Sequence, residues 1–290
     1  MKCFAEYLKT DWEEKFVDLP TGIRMAYTVC GPEDGEKIVL IHGVTDGRVS
    51  WSQAAPMLVE KGYRVYVPEY RGNGKTDKPD AGPEGYSIEM HGADMAAFFA
   101  AAGIDKAHIV GHSLGSIICQ RMNIDNPELV KSTTLIASTV KCQPNEVLSW
   151  IVEGDGEGFG GVFAYDEEQA LPESFLKEWT DNTNECDDFQ QATYAHACQI
   201  PYKAWHHLMN GLNAFDNREE IGKVSGKVLV IWGTEDTVFP ISDQEELKAG
   251  LTGCDVTYKI VEGGSHNTHW DSVATCTLMM DMLDEFIREI

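Results

Sequence analysis

Residues 106–119 read Lys106-Ala-His-Ile-Val-Gly-His-Ser-Leu-Gly-Ser-Ile-Ile-Cys119. A short apolar run, Ala107 to Val110, ends in Gly111-His112-Ser113-Leu114-Gly115, and a run with helical spacing follows. A glycine-flanked serine at a strand-to-helix turn is the context in which the G-x-S-x-G pattern carries meaning. Such a turn holds the serine in strained backbone geometry and lifts its hydroxyl clear of the sheet edge. A side chain at either Gly111 or Gly115 would strike the crossing strand and helix, so glycine is needed on both sides. Ser113 is therefore the candidate nucleophile; a chance glycine turn is the plain alternative.

Working outward, Phe16 to Leu19 and Ile23 to Val29 read as a hairpin around Pro20-Thr-Gly22. Lys37 to Ile41 is a short apolar strand of the kind buried on both faces of a parallel sheet. A helix is expected from about Ser50 to Lys61, stopped by Gly62. Tyr63 to Pro68 reads as a strand, Ser87 to Ala102 as a helix, Leu114 to Asn126 as the helix after the serine turn, and Ser132 to Ala137 as the next strand. The alternation resumes at Lys227 to Trp232, Asp243 to Ala249, Val256 to Val261 and Ser272 to Ile290. Alternating strands and helices predict an α/β fold with a doubly wound, mostly parallel sheet. Between residues 140 and 220 the alternation lapses into helix-like, aromatic-rich runs. A helical cap over 140–220 is expected there, inserted into a core of residues 1–139 and 221–290. Gly154-Asp-Gly-Glu-Gly-Phe-Gly-Gly161 lacks the Lys-Ser/Thr ending of a phosphate cradle and reads as a flexible acidic loop.

The chain has 290 residues, 43% apolar and 24% charged, ordinary proportions for a soluble globular protein. Neither a signal-peptide core near Met1 nor an apolar run long enough for a bilayer is present, so a cytoplasmic protein is expected. Eight cysteines without a C-x-x-C pair read as reduced thiols. His266 and His269 form only an H-x-x-H, so no metal and no cofactor is expected. A net charge of −24 repels nucleic acid and anionic membrane surfaces, leaving a small molecule as the expected partner of a monomer or homodimer.

Three further motifs accompany the serine. His42-Gly43-Val44 follows the apolar strand; a backbone N–H here, with Val44 the preferred donor, can join that of Leu114 in holding a developing oxyanion. Trp232-Gly-Thr-Glu-Asp236 closes a late strand, and Asp236 can fix a histidine tautomer, with Glu235 as its rival. Glu262-Gly-Gly-Ser-His266 follows the next strand; His266 is the candidate proton acceptor and His269 the runner-up.

These pieces, together with Pro68-Glu-Tyr-Arg-Gly-Asn-Gly74, make the chain resemble the α/β-hydrolase superfamily over nearly its whole length, and most closely its capped serine esterase and lactonase branch. The chain order serine, aspartate, histidine is also that of the family. The resemblance implies a Ser113–Asp236–His266 triad, an oxyanion hole from the Val44 and Leu114 amides, and supporting roles for His42, Gly43, Gly111, His112 and Gly115. Where relatives often carry Asp-x-Arg-Gly-His-Gly, this chain has Glu69 and Asn73, which touches loop packing only. Serine at the elbow argues against epoxide hydrolases and haloalkane dehalogenases, which place aspartate there.

Residues 141–220 hold sixteen acidic and four basic residues, half of the net charge, and eleven aromatic ones. Anionic substrates should be repelled, and some of the aromatics are expected to wall an apolar pocket. The expected activity is hydrolysis of a carboxylic ester or lactone of a neutral, partly apolar small molecule through an acyl-enzyme. C–C hydrolysis or perhydrolysis with the same triad, or a non-catalytic ligand receptor, are the alternatives.

Overall fold

The computed structural model describes residues 12–154, 161–162, 171–181, 184 and 186–290. Eight strands, β1 (Glu13–Asp18), β2 (Arg24–Cys30), β3 (Lys37–Ile41), β4 (Arg64–Pro68), β5 (Ala107–His112), β6 (Val130–Ile136), β7 (Gly226–Gly233) and β8 (Cys254–Val261), form one sheet. Their order is β1-β2-β4-β3-β5-β6-β7-β8. The β1/β2 and β2/β4 pairs are antiparallel and the rest parallel, as the alternation predicts.

Period-two geometry divides β3 between two cores. Val39 and Ile41 join Ile109, Phe98 and Ile117 on one face; Ile38 and Leu40 join Val110, Leu58 and Leu283 on the other. Helices α2 (Ile88–Ala101) and α3 (Leu114–Asp125) cover the first face, α1 (Ala54–Glu60) and α9 (Val273–Arg288) the second. Burial on both faces is why β3 is apolar from Ile38 to Ile41 and β5 is mostly apolar, its buried His108 being paired with Ser132 Oγ at 2.7 Å.

The helix expected from Ser50 to Lys61 forms instead as a 3₁₀ turn, Arg48–Trp51, followed by α1. Pro56 has no N–H to return to the Ser52 carbonyl, so a regular helix can begin only with Pro56 inside its first turn. At α2 the Ser87 side chain accepts the Met90 N–H, the cap its position suggests.

Between β6 and β7 lie α4 (Glu146–Glu153), α5 (Glu173–Thr180), α6 (Asp187–Ala197) and α7 (Tyr202–Asn213), with α8 (Ile241–Gly250) following β7. The chain leaves and re-enters this helical insertion side by side. Lys141 bridges Asp216, the Cys142 N–H donates to the Phe215 carbonyl (3.0 Å), and the Asn217 N–H to the Val140 carbonyl (2.8 Å). Most of its described aromatics pack the insertion itself: Phe175 sits against Trp150, Trp179 and Trp205 at 5.7–6.3 Å between ring centres. Residues 155–160 of the glycine-rich run, Phe163 and Tyr165 lie outside the described residues. No described helix is long and apolar enough to cross a membrane.

Candidate active site

The sequence-predicted residues lie at the C-terminal ends of the parallel strands β3, β5, β7 and β8, the edge where open α/β sheets bind ligands. Ser113 occupies the turn between β5 and α3 with φ 50° and ψ −121°, a conformation costly for any residue with a side chain. Tight packing enforces it. A methyl group on Gly111 would stand 2.2 Å from the Gly115 carbonyl oxygen, and one on Gly115 would stand 2.1 Å from that of Ile41.

Asp236 and His266 come together from the β7 and β8 loops. His266 Nδ1 lies 3.0 Å from both carboxylate oxygens of Asp236. Asp236 Oδ1 also accepts the Val238 and Phe239 N–H groups at 2.9 and 2.8 Å, which fixes the carboxylate before the imidazole is considered. Glu235, its sequence rival, is exposed on the wall of the same cavity and makes no such bond. Donation from Nδ1–H to Asp236 leaves Nε2 as the bare, proton-accepting nitrogen.

Ser113 and His266 line one cavity of about 430 Å³. Among the described residues the Ser113 hydroxyl makes no hydrogen bond to His266, although both face the same cavity. Elbow and histidine loop are tied by His112, whose Nε2 lies 2.9 Å from the His266 carbonyl and whose Nδ1 lies 3.5 Å from Asp46 Oδ2.

His269 is fully buried and lies between the rings of His112 (4.3 Å) and Trp51 (4.6 Å), away from the cavity lining. Burial holds its pKa well below the ordinary histidine value, so it stays neutral in a place substrate does not reach. Two turn residues, Asn267 and Thr268, separate it from His266, and its side chain is turned inward. The runner-up base is thereby set aside on position alone.

Val44 lines the cavity, and Leu114 opens α3 with its backbone at the positive end of the helix. The loop of Val44 is held at three points. Tyr70 Oη donates to the Gly43 carbonyl at 2.7 Å. His42 is buried against the Tyr70 ring at 4.1 Å and kept neutral by burial, which pushes its pKa down to about 3. The third point is unforeseen by sequence: Trp179 Nε1 on α5 donates to Thr45 Oγ1 at 2.7 Å, and Thr45 Oγ1 donates to the Val44 carbonyl at 2.6 Å. Thr45 takes φ 63°, rare for a β-branched residue, so that loop is strained as well as anchored.

Of the aromatics expected as pocket wall, Trp150 and Trp179 line the cavity, whereas Phe175, Phe189, Tyr202 and Trp205 are packing. Trp270 and Phe239 also line it and were missed because neither belongs to the insertion. His206 and His207 do not reach the cavity. Among the described residues no group of three or more His, Cys, Asp or Glu could hold a metal ion, and Cys186 and Cys198 are both free thiols.

With this geometry in place, comparison with known proteins gives consistent matches. The family model for the alpha/beta hydrolase fold matches residues 37–273. RutD of Variovorax paradoxus (strain S110), whose name proposes a carbamate hydrolase, is 28% identical over 83% of this chain and 88% of its own. A 2-hydroxy-6-oxo-6-phenylhexa-2,4-dienoate hydrolase of Burkholderia cepacia is 23% identical over 82% of this chain and 83% of its own. Among solved structures, the enol-lactonase of Burkholderia xenovorans LB400 superposes with a TM-score of 0.77 at 17% identity, covering 94% of this chain and 100% of that one. The family match takes in most of the chain, every parallel strand and both loops that meet at the Asp236–His266 bond: the protein belongs to the alpha/beta-hydrolase family.

Proposed function

We propose that the protein is a serine hydrolase that cleaves a carboxylic ester or lactone through an acyl-enzyme. The observation that carries this reading is Ser113, on a strained turn, sharing a cavity with a histidine locked to a buried carboxylate. Ser113 Oγ attacks the carbonyl carbon and its proton passes to His266 Nε2. The Val44 and Leu114 N–H groups hold the tetrahedral oxygen. The protonated His266 then returns the proton to the departing alcohol, and a water deprotonated by the same nitrogen frees the acid. The serine-to-imidazole hydrogen bond forms when substrate is bound, since catalytic contacts commonly tighten only in the Michaelis complex.

Ser113→Ala tests the reading: turnover should fall by on the order of 10⁶-fold, and a fluorophosphonate should label the parent chain but not the variant. A variant that kept most of its activity would end the mechanism. The substrate panel should hold esters, lactones and, given the V. paradoxus relative, carbamates. A vinylogous diketone belongs in it as well, because the B. cepacia relative is named for a substrate of that kind. Labelling of Ser113 without turnover of any member would instead favour a ligand receptor.

A further inference from the structure

The lining of the Ser113 cavity is one-sided in charge. Asp46, Glu178, Asp181 and Glu235 reach it, and among the described residues no lysine or arginine does. Glu178, Asp181 and Glu235 are exposed, and Lys177, the basic residue nearest to two of them in sequence, is taken by Glu173 at 2.6 Å. Those parts of the insertion outside the described residues contribute six further acidic residues and no lysine or arginine, so they bring no compensating charge. Trp150, Trp179 and Trp270 line the same cavity, and the negative face of an indole attracts a cation, most strongly ammonium or guanidinium.

We propose that the cavity selects esters whose acyl or alcohol part carries a cationic ammonium group, and disfavours carboxylate-bearing ones. This rests on the serine-hydrolase reading above and replaces the neutral substrate expected from sequence with a cationic one. Carboxylates at a cavity mouth add long-range attraction in a solvated setting, and the tryptophan faces add short-range attraction where water is displaced. Together they should amount to about tenfold in kcat/KM between a cationic ester and its neutral isostere, the carboxylate share of it lost when salt shortens the Debye length.

The isosteric pair acetylcholine and 3,3-dimethylbutyl acetate, with 4-acetoxybutanoate as the anionic counterpart, measures this on the full chain. Rates at low ionic strength should fall in the order cationic, neutral, anionic, by about tenfold at each step, and the spread should shrink at high salt. In a Glu178→Gln, Asp181→Asn, Glu235→Gln variant the cationic-to-neutral ratio should fall towards the effect of the tryptophans alone. The readout is a ratio, so any loss common to both esters cancels. Equal kcat/KM for the isosteric pair at low salt, or a ratio unmoved by both salt and the variant, would overturn the proposal. If no ester is hydrolysed and Ser113 resists fluorophosphonate, the hydrolase reading fails by itself. Charge selection is then decided by binding. Tryptophan fluorescence should report choline binding about tenfold more tightly than 3,3-dimethylbutan-1-ol, and equal affinities would sink it.

Discussion

Ser113 and its two glycines show how sterics alone can aim a functional group. The positive φ of Ser113 is not a preference of serine; it is imposed because β5, α3 and the end of β3 approach too closely for any side chain at positions 111 and 115. Gly115→Ala should therefore be among the most damaging single-methyl additions in the chain. Its new carbon would meet the backbone of β3, which cannot step aside as a side chain can. A loss of stability of about 3 kcal/mol or more is expected, readable as a large drop in the urea midpoint or in soluble yield. At Gly22, by contrast, the φ of 88° is left-handed but nothing lies within 4 Å, so Gly22→Ala meets backbone strain without a clash and should lose only about 1 kcal/mol. Asp236→Asn makes a chemical rather than a steric test. The Val238 and Phe239 amides can still donate to the amide oxygen of asparagine, so the fold should survive. His266, however, loses the carboxylate that fixes its Nδ1–H tautomer, and turnover should fall by on the order of 10³–10⁴-fold with little change in the urea midpoint.

At the scale of elements, α5 and the Val44 loop meet through one hydrogen bond, Trp179 to Thr45, between residues 134 apart in sequence. Trp179→Phe keeps the ring against Phe175 and removes only the donor. It should lower kcat by about tenfold while changing KM little, because an oxyanion donor that drifts matters mostly in the transition state. With a neutral ester, which the indole face does not favour, a matching rise in KM with kcat unchanged would show that the Trp179 to Thr45 bond does not steady the oxyanion loop. The same contact marks the limit of what sequence can tell. The serine elbow, the Asp236 and His266 loops and the alternating strands were legible because each is a local pattern with a local cause: a glycine where a side chain cannot fit, an apolar run where both faces are covered. Thr45 at positive φ was not legible, since β-branched residues rarely go there and only the surrounding anchors force it. Neither was Trp270 as a cavity residue. It sits in a turn of the core, and only the assembled fold brings that turn beneath the insertion.

For the whole molecule, buried histidines set how stability responds to acid. His42, His91 and His269 are fully buried, and burial depresses all three, His42 and His91 to about 3. An unfolded chain would protonate each near the ordinary value of about 6.5. As pH falls below that value the unfolded state therefore takes up protons that the folded state refuses, and stability declines until the folded groups titrate too. Each such proton contributes a slope of about 1.4 kcal/mol per pH unit, so three give about 4 kcal/mol per unit in the steepest part. An opposing effect exists: acid reduces the self-repulsion of a chain with net charge −24. Between pH 6.5 and 5 most carboxylates remain ionised, however, and the relief of repulsion is small there, so the histidines decide the sign. The urea midpoint should fall steadily from pH 7 to pH 5. His91 separates this account from general acid weakening, because neither of its ring nitrogens has a hydrogen-bond partner among the described residues and its ring lies edge-on to Tyr70 at 5.0 Å. His91→Phe keeps that aromatic packing, removes two unsatisfied polar atoms and deletes one of the three titrations. Its stability at pH 7 should be equal to or above that of the parent, and its slope with pH shallower by up to one proton, about 1.4 kcal/mol per pH unit. An unchanged slope in that variant would show that His91 is protonated or solvated in the folded chain, and the acid response would then have to come from carboxylates instead.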